Sequence, residues 1–120
     1  MSGSRRKART REEIQRELST ILEFESRDPV VRGAFPTVMD VRLSVDGRYA
    51  KVYVALGADV DPNDVERALA EDQGFYRSLL AERLSLRHTP ELRFVIDETV
   101  ERGMRLDAIL RDEGKDLGTS

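Results

Sequence analysis

Apolar residues first recur at helical spacing in REEIQRELSTILEF, where Ile14, Leu18, Ile21 and Leu22 align on one face. Just upstream, Thr10 and Glu13 have the spacing of a capping box, so a helix is expected to begin there. Asp28-Pro29 is expected to close it, because a residue before proline is driven out of the helical region. A loop with Gly33 and Pro36 follows, and then the period changes to two. In TVMDVRLSV, Met39, Val41, Leu43 and Val45 alternate with Asp40, Arg42 and Ser44, the pattern of a half-buried strand. Asp46-Gly47 marks a hairpin turn. In the return strand YAKVYVAL, Ala50, Val52, Val54 and Leu56 share the inner face, leaving Tyr49, Lys51 and Tyr53 outside.

Asp61-Pro62 opens a second helix. Asp61 serves as N-cap and Pro62 takes the first position, where its missing N–H costs nothing. Asp64 and Glu66 complement the helix dipole, and Val65, Ala68 and Leu69 supply a short apolar face. The rhythm breaks at Asp72-Gln73-Gly74 and resumes with Phe75, Leu79, Leu80 and Leu84, a third helix. Glycine inside a helix costs about 1 kcal/mol relative to alanine. With no loop-length polar stretch beside Gly74, a sharp helix-kink-helix is expected there; a C-cap and ordinary loop is the alternative. Thr89-Pro90 stops the third helix, and ELRFVID reads as a strand with Leu92, Phe94 and Ile96 inward. Further on, Val100, Met104, Ala108 and Ile109 fit a terminal helical segment weakened by Gly103. The order α-β-β-α-α-β implies an α+β two-layer sandwich, helices on one sheet face and the other largely open. Residues 1–8 are expected as a flexible basic arm, 9–110 as the domain and 111–120 as a disordered polar tail.

Composition narrows the chemistry. A chain of 120 residues supports one core. No run approaches the ~20 apolar residues of a bilayer crossing, and no signal-like apolar stretch is present, so a cytoplasmic protein is the simplest reading. Without cysteine there are no disulfides or thiolate metal sites, and with His88 alone no multi-histidine centre. P-loop, dinucleotide and nucleophile-elbow motifs are missing, and no two glycines have the GxxG spacing of the KH phosphate clamp. Asp97, Glu98 and Glu101 cluster after a strand, in a context that gives acid–base catalysis little support. Neither enzyme, metal nor cofactor is indicated.

Charge changes the picture more. The formal net charge of -3 hides strong segregation. Arg5, Arg6, Lys7, Arg9 and Arg11 precede any acid, a cluster suited to phosphates, which demand charge and reach more than fixed geometry. Residues 57–74 hold Asp59, Asp61, Asp64, Glu66, Glu71 and Asp72 against Arg67 alone. From residue 75 to 94, Arg77, Arg83, Arg87 and Arg93 outnumber Glu82 and Glu91. An acidic chain still binds polyanions when its bases share a face. Taken alone, the later arginines are more simply a solvated helix surface. Tyr49 and Tyr53, with Lys51 between them, can stack on unpaired bases, but shielding the edge of the fold is the plainer reading.

Several motifs in fixed order resemble one family. They are the stretch from Arg11 to Leu22, Asp28-Pro29, AKVYV (50–54), GFYRSLL (74–80), LRHTPELRF (86–94) and DETVERGMRL (97–106). Together, over about Arg5 to Leu110, they resemble bacterial ribosome-binding factor A. The resemblance implies a type II KH-like fold with a mixed three-stranded sheet. It also implies a non-catalytic factor, monomeric when free, that binds the small (30S) ribosomal subunit and its 16S rRNA. Such a factor acts late in maturation, supports processing of the rRNA 5′ end and matters in the cold; whether an assembly GTPase assists stays open. It raises Arg5, Arg6, Lys7, Arg9, Arg11, Arg77, Arg83, Arg87, His88 and Arg93 to candidate rRNA contacts. In the family the kink reads Ala-x-Gly; here Asp72 replaces the alanine, which puts close phosphate approach at that position in doubt. A second reading makes the molecule a protein-interaction module, docking through the open sheet face with Tyr49 and Tyr53.

Overall fold

The computed structural model describes residues 2–97, with side chains from residue 7 onward. The elements are α1 (Ser2–Phe24), α2 (Pro29–Ala34), β1 (Pro36–Leu43), β2 (Tyr49–Leu56), α3 (Pro62–Glu71), α4 (Gln73–Arg83) and β3 (Glu91–Ile96). β1 pairs with β2 antiparallel, β2 with β3 parallel, and the sheet order is β1-β2-β3. This mixed sheet carries α1, α3 and α4 on one face. Ile14, Leu18, Ile21 and Leu22 of α1, Val65 and Leu69 of α3, and Tyr76 and Leu80 of α4 close over Val41, Val52, Val54, Leu92, Phe94 and Ile96. The expected terminal segment around Val100, Met104, Ala108 and Ile109, and the tail 111–120, lie outside the described residues.

Several local expectations hold. Asp61 caps α3 by accepting the Asn63 N–H at 2.9 Å, and the inner faces of β2 and β3 are as the alternation requires. Gly47 has φ +74, the left-handed conformation that the Asp46-Gly47 turn asks of it. Asp46 secures the turn by accepting from the Ser44 hydroxyl (2.7 Å) and the Arg48 N–H (3.1 Å), which hold its carboxyl below the usual aspartate range.

Others are corrected. α1 starts at Ser2 and passes through Thr10, so the capping box is not a boundary. Arg, Lys and Ala dominate the residues ahead of Thr10, and their helix propensity carries the turn pattern upstream. Asp28-Pro29 does not close a helix but opens one. Asp28 is extended and accepts the Val30 N–H at 2.8 Å, with Pro29 in the first turn, the same device as Asp61-Pro62. α2 ends on Phe35, which sits at φ 49 while 69% exposed. In β1 the register shifts between Val38, opposite Val54, and Asp40, opposite Tyr53, which leaves Met39 as the extra residue. Val38, not Met39, therefore enters the core, and Met39 and Val45 are exposed.

The helix-kink-helix is present. Its backbone break falls at Asp72 (φ -97, ψ 11), and Gly74 is the second residue of α4. Gly74 has an ordinary φ and open space around the position of a side chain. Just beyond the break, Tyr76 enters the core fully, edge-on to Phe94, and its hydroxyl donates to Ser26 at 3.2 Å. Burial pushes the Tyr76 hydroxyl pKa up.

Candidate nucleic-acid interface

Three elements meet at one end of the molecule: the N-terminal half of α1, the β1–β2 turn, and the loop after α4. Upstream of Ile14, α1 buries no described side chain and runs out beside the turn, where the Lys7 ammonium donates to the Val45 carbonyl at 3.3 Å. The loop is shaped by Arg77, whose Nε and Nη2 donate to the Thr89 carbonyl at 3.1 and 2.8 Å. That grip turns residues 84–90 back over the helix end and presents Arg87 and His88. Between these elements lies a groove of about 560 Å³ whose lining includes Lys7, Arg9, Glu13, Asp46, Arg87 and His88. Arg9, Arg87 and His88 are exposed and have no protein partner among the described residues.

Two further depressions extend the basic surface. One, lined by Lys7, Arg11 and Arg42, continues around α1 onto the edge of β1. The other runs from His88 past Arg77 to Arg48 and Tyr49. Arg42 and Arg48 were missed from sequence. Arg48 follows a turn glycine and Arg42 stands in an alternating strand, and neither context signals that Arg42 lies beside α1 or Arg48 beside the loop after α4.

The remaining candidates go elsewhere. Arg83 lies between α4 and α1, bonded through both terminal nitrogens to Glu25 and through Nη1 to Glu17 at 3.2 Å. These contacts depress the Glu25 carboxyl pKa and raise that of the Arg83 guanidinium, the Arg83–Glu25 hydrogen bonds first among the causes. Arg83 is thus a clasp between helices. Arg93 lies on the open sheet face, over the Tyr49 ring and 3.7 Å from Glu91. Side chains of Arg5 and Arg6 are outside the described residues. Among those described, no cluster of three or more acidic or histidine side chains suits a metal, and no helix is long and apolar enough to cross a membrane.

The model of the family described as ribosome-binding factor A matches residues 6–110. The chain belongs to the ribosome-binding factor A family. A ribosome-binding factor A of Natranaerobius thermophilus is 43% identical over 112 residues, covering 92% of this chain and 83% of that one. The crystal structure of ribosome-binding factor A from Thermus thermophilus superposes with a TM-score of 0.67 at 30% identity, over 75% of this chain and 93% of that one. Coordinates of the Thermus thermophilus factor fitted into a cryo-EM map of a 30S–RbfA complex match with a TM-score of 0.59 at 30% identity, over 71% of this chain and 88% of that one. The type II KH-like sandwich expected from the resemblance is the fold of this family's structures. At the bend between α3 and α4, Asp72 pairs with Arg27 at 3.2 Å, and the Arg27 guanidinium covers Phe75, 3.9 Å from the ring centroid. The acid at this position is engaged within the fold.

Proposed function

We propose that this protein binds the free small ribosomal subunit, with the groove between α1 and the post-α4 loop taking phosphates of 16S rRNA. One observation carries the reading: Lys7, Arg9, Arg87 and His88 converge from distant parts of the sequence, and three of the four lack a protein partner among the described residues. Such cations are ready to displace condensed counterions, the main source of affinity for a nucleic-acid backbone. Arg11 and Arg77 flank the groove, and Arg5 and Arg6 extend the same helix. The exposed acids of α3, including Asp64, Glu66 and Glu71, repel a polyanion and so favour one orientation of approach.

The function is non-catalytic. As a member of its family the protein acts in the cytoplasm, as a monomer when free, late in subunit maturation. There it supports 16S rRNA 5′-end processing, with a role in the cold, and an assembly GTPase is the candidate for its release. Crosslinking to purified small subunits, with rRNA and protein positions both read out, tests the assignment. Crosslinks from residues 7–11 and 85–88 to rRNA are expected. Crosslinks confined to ribosomal proteins, or to α3, would overturn it.

A further inference from the structure

The open face of the sheet carries an arrangement that the groove does not use. The register sets Arg42 of β1 beside Lys51 of β2, and Lys51 beside Arg93 of β3. Three cations therefore stand in one row across every strand of the sheet. The turn makes this possible. Counting back from it, Leu43 stands opposite Ala50, Arg42 opposite Lys51 and Val41 opposite Val52 in the core, before the register shifts at Met39. Tyr49 and Tyr53 flank the row on the same face, about 13 Å apart at ~3.3 Å per residue. The Arg93 guanidinium lies 4.0 Å from the Tyr49 centroid, and Arg42 and Lys51 lie 5.3 and 5.5 Å from that of Tyr53.

Such a row opposes folding, because like charges directly across a sheet repel. Asp40 relieves Arg42 at 3.2 Å and Glu91 relieves Arg93 at 3.7 Å. Lys51, in the middle, has no carboxylate partner among the described residues. The flanking ion pairs are largely exposed, and pairs of that kind contribute little, so both arginines can exchange a carboxylate for a phosphate. No described helix packs over this face.

We propose that the open sheet face is a stacking platform for single-stranded RNA, with unpaired bases on Tyr49 and Tyr53 and the backbone over Arg42, Lys51 and Arg93. Aromatic rings supply stacking that tolerates any base, and arginine planes and ammonium charge anchor the phosphates between them. An acidic protein would match the cations and rings as well, but two rings set on either side of a row of phosphate-binding cations fit a single strand better. Arg42 and Tyr49 border the two depressions that adjoin the groove, but none of the five platform residues lines the groove itself. The platform rests on the proposed rRNA-binding function only in the choice of polymer.

The test titrates the free protein with fluorescein-labelled octauridylate, in a background where Arg9→Ala and Arg87→Ala have weakened the groove. Tyr49→Leu with Tyr53→Leu is expected to weaken binding at least about tenfold. Lys51→Thr is expected to weaken it too, and to flatten the slope of log K against log salt by about 0.7, one phosphate of a single strand. Its melting temperature should hold or rise, since a repelled charge is removed. If the tyrosine pair fails to fold, Lys51→Thr alone decides. Unchanged octauridylate binding in folded variants overturns the proposal. So does weaker binding to intact small subunits with octauridylate binding intact, which assigns the face to a protein. The groove is scored separately, by its own crosslinks to subunits.

Discussion

Arg83 and Arg87 are four residues apart in a segment of uniform basic character, yet they lie in regions of opposite kind. Arg83 belongs to the seam between α1 and α4, fixed by Glu17 and Glu25. Arg87 belongs to the loop beyond α4, facing a groove with Lys7, Arg9 and His88 and bonded to nothing among the described residues. Local charge does not distinguish them. What does is whether carboxylates from elsewhere in the fold reach the guanidinium first. A cation satisfied twice over has little left for a phosphate, whereas one exposed to water gains by exchanging counterions for it. The first region holds the molecule together, and the second is open to a partner.

Charge reversal in the open region should produce the largest effect. Arg9→Glu with Arg87→Glu is expected to weaken small-subunit binding about 100-fold, as two charged contacts of ~1.5 kcal/mol would. Thermal melting should be unchanged, because neither side chain has a partner to lose. Next comes the clasp. Arg83→Ala should lower the melting temperature and leave subunit affinity within about twofold after correction for the folded fraction. Acid titration sharpens this. Since folding depresses the Glu25 carboxyl pKa from its ordinary 4.5, the clasp stabilises above that pH and is lost as pH falls through the depressed value. A Glu25→Gln variant should therefore melt below the wild type near neutrality, and the gap should close in acid.

Smaller changes probe the same seam. Tyr76→Phe deletes the buried hydroxyl that reaches Ser26 and should cost about 1 kcal/mol in a denaturant melt, with binding intact. Gly74→Ala should do the reverse. With an ordinary φ and open space, it is expected to gain at most ~1 kcal/mol from helix propensity. A loss of subunit affinity in that variant, with stability raised, would show that RNA approaches the bend closely.

The fold was largely legible because its periodicities are clean. Ile14 to Leu22 and the alternation of β2 and β3 each have one physical solution, and at Asp61-Pro62 the apolar face of Val65, Ala68 and Leu69 that follows shows that the pair opens a helix. Two misreadings share a cause. Asp-Pro both ends and begins helices, and at Asp28 the choice depended on a six-residue helix too short to show a period. The Met39 bulge could not be read because alternation across it looks unbroken until the register with Tyr53 is known. The site was legible as charge and illegible as availability. Nothing near Arg83 in sequence names Glu17 or Glu25, and nothing near Arg42 or Lys51 indicates that Arg93 completes their row.

The central claim, that the cations lining the groove bind rRNA and the clasped one does not, is tested most directly by salt dependence. Dissociation constants for purified small subunits would be measured across a series of salt concentrations for the wild type, for Lys7→Ala/Arg9→Ala/Arg87→Ala/His88→Ala and for Arg83→Ala. The quadruple variant should show a shallower slope of log K against log salt, by about 0.7 to 0.9 for each phosphate no longer neutralised, while Arg83→Ala keeps the wild-type slope. An unchanged slope in the quadruple variant, or a shallower one in Arg83→Ala, would contradict the account.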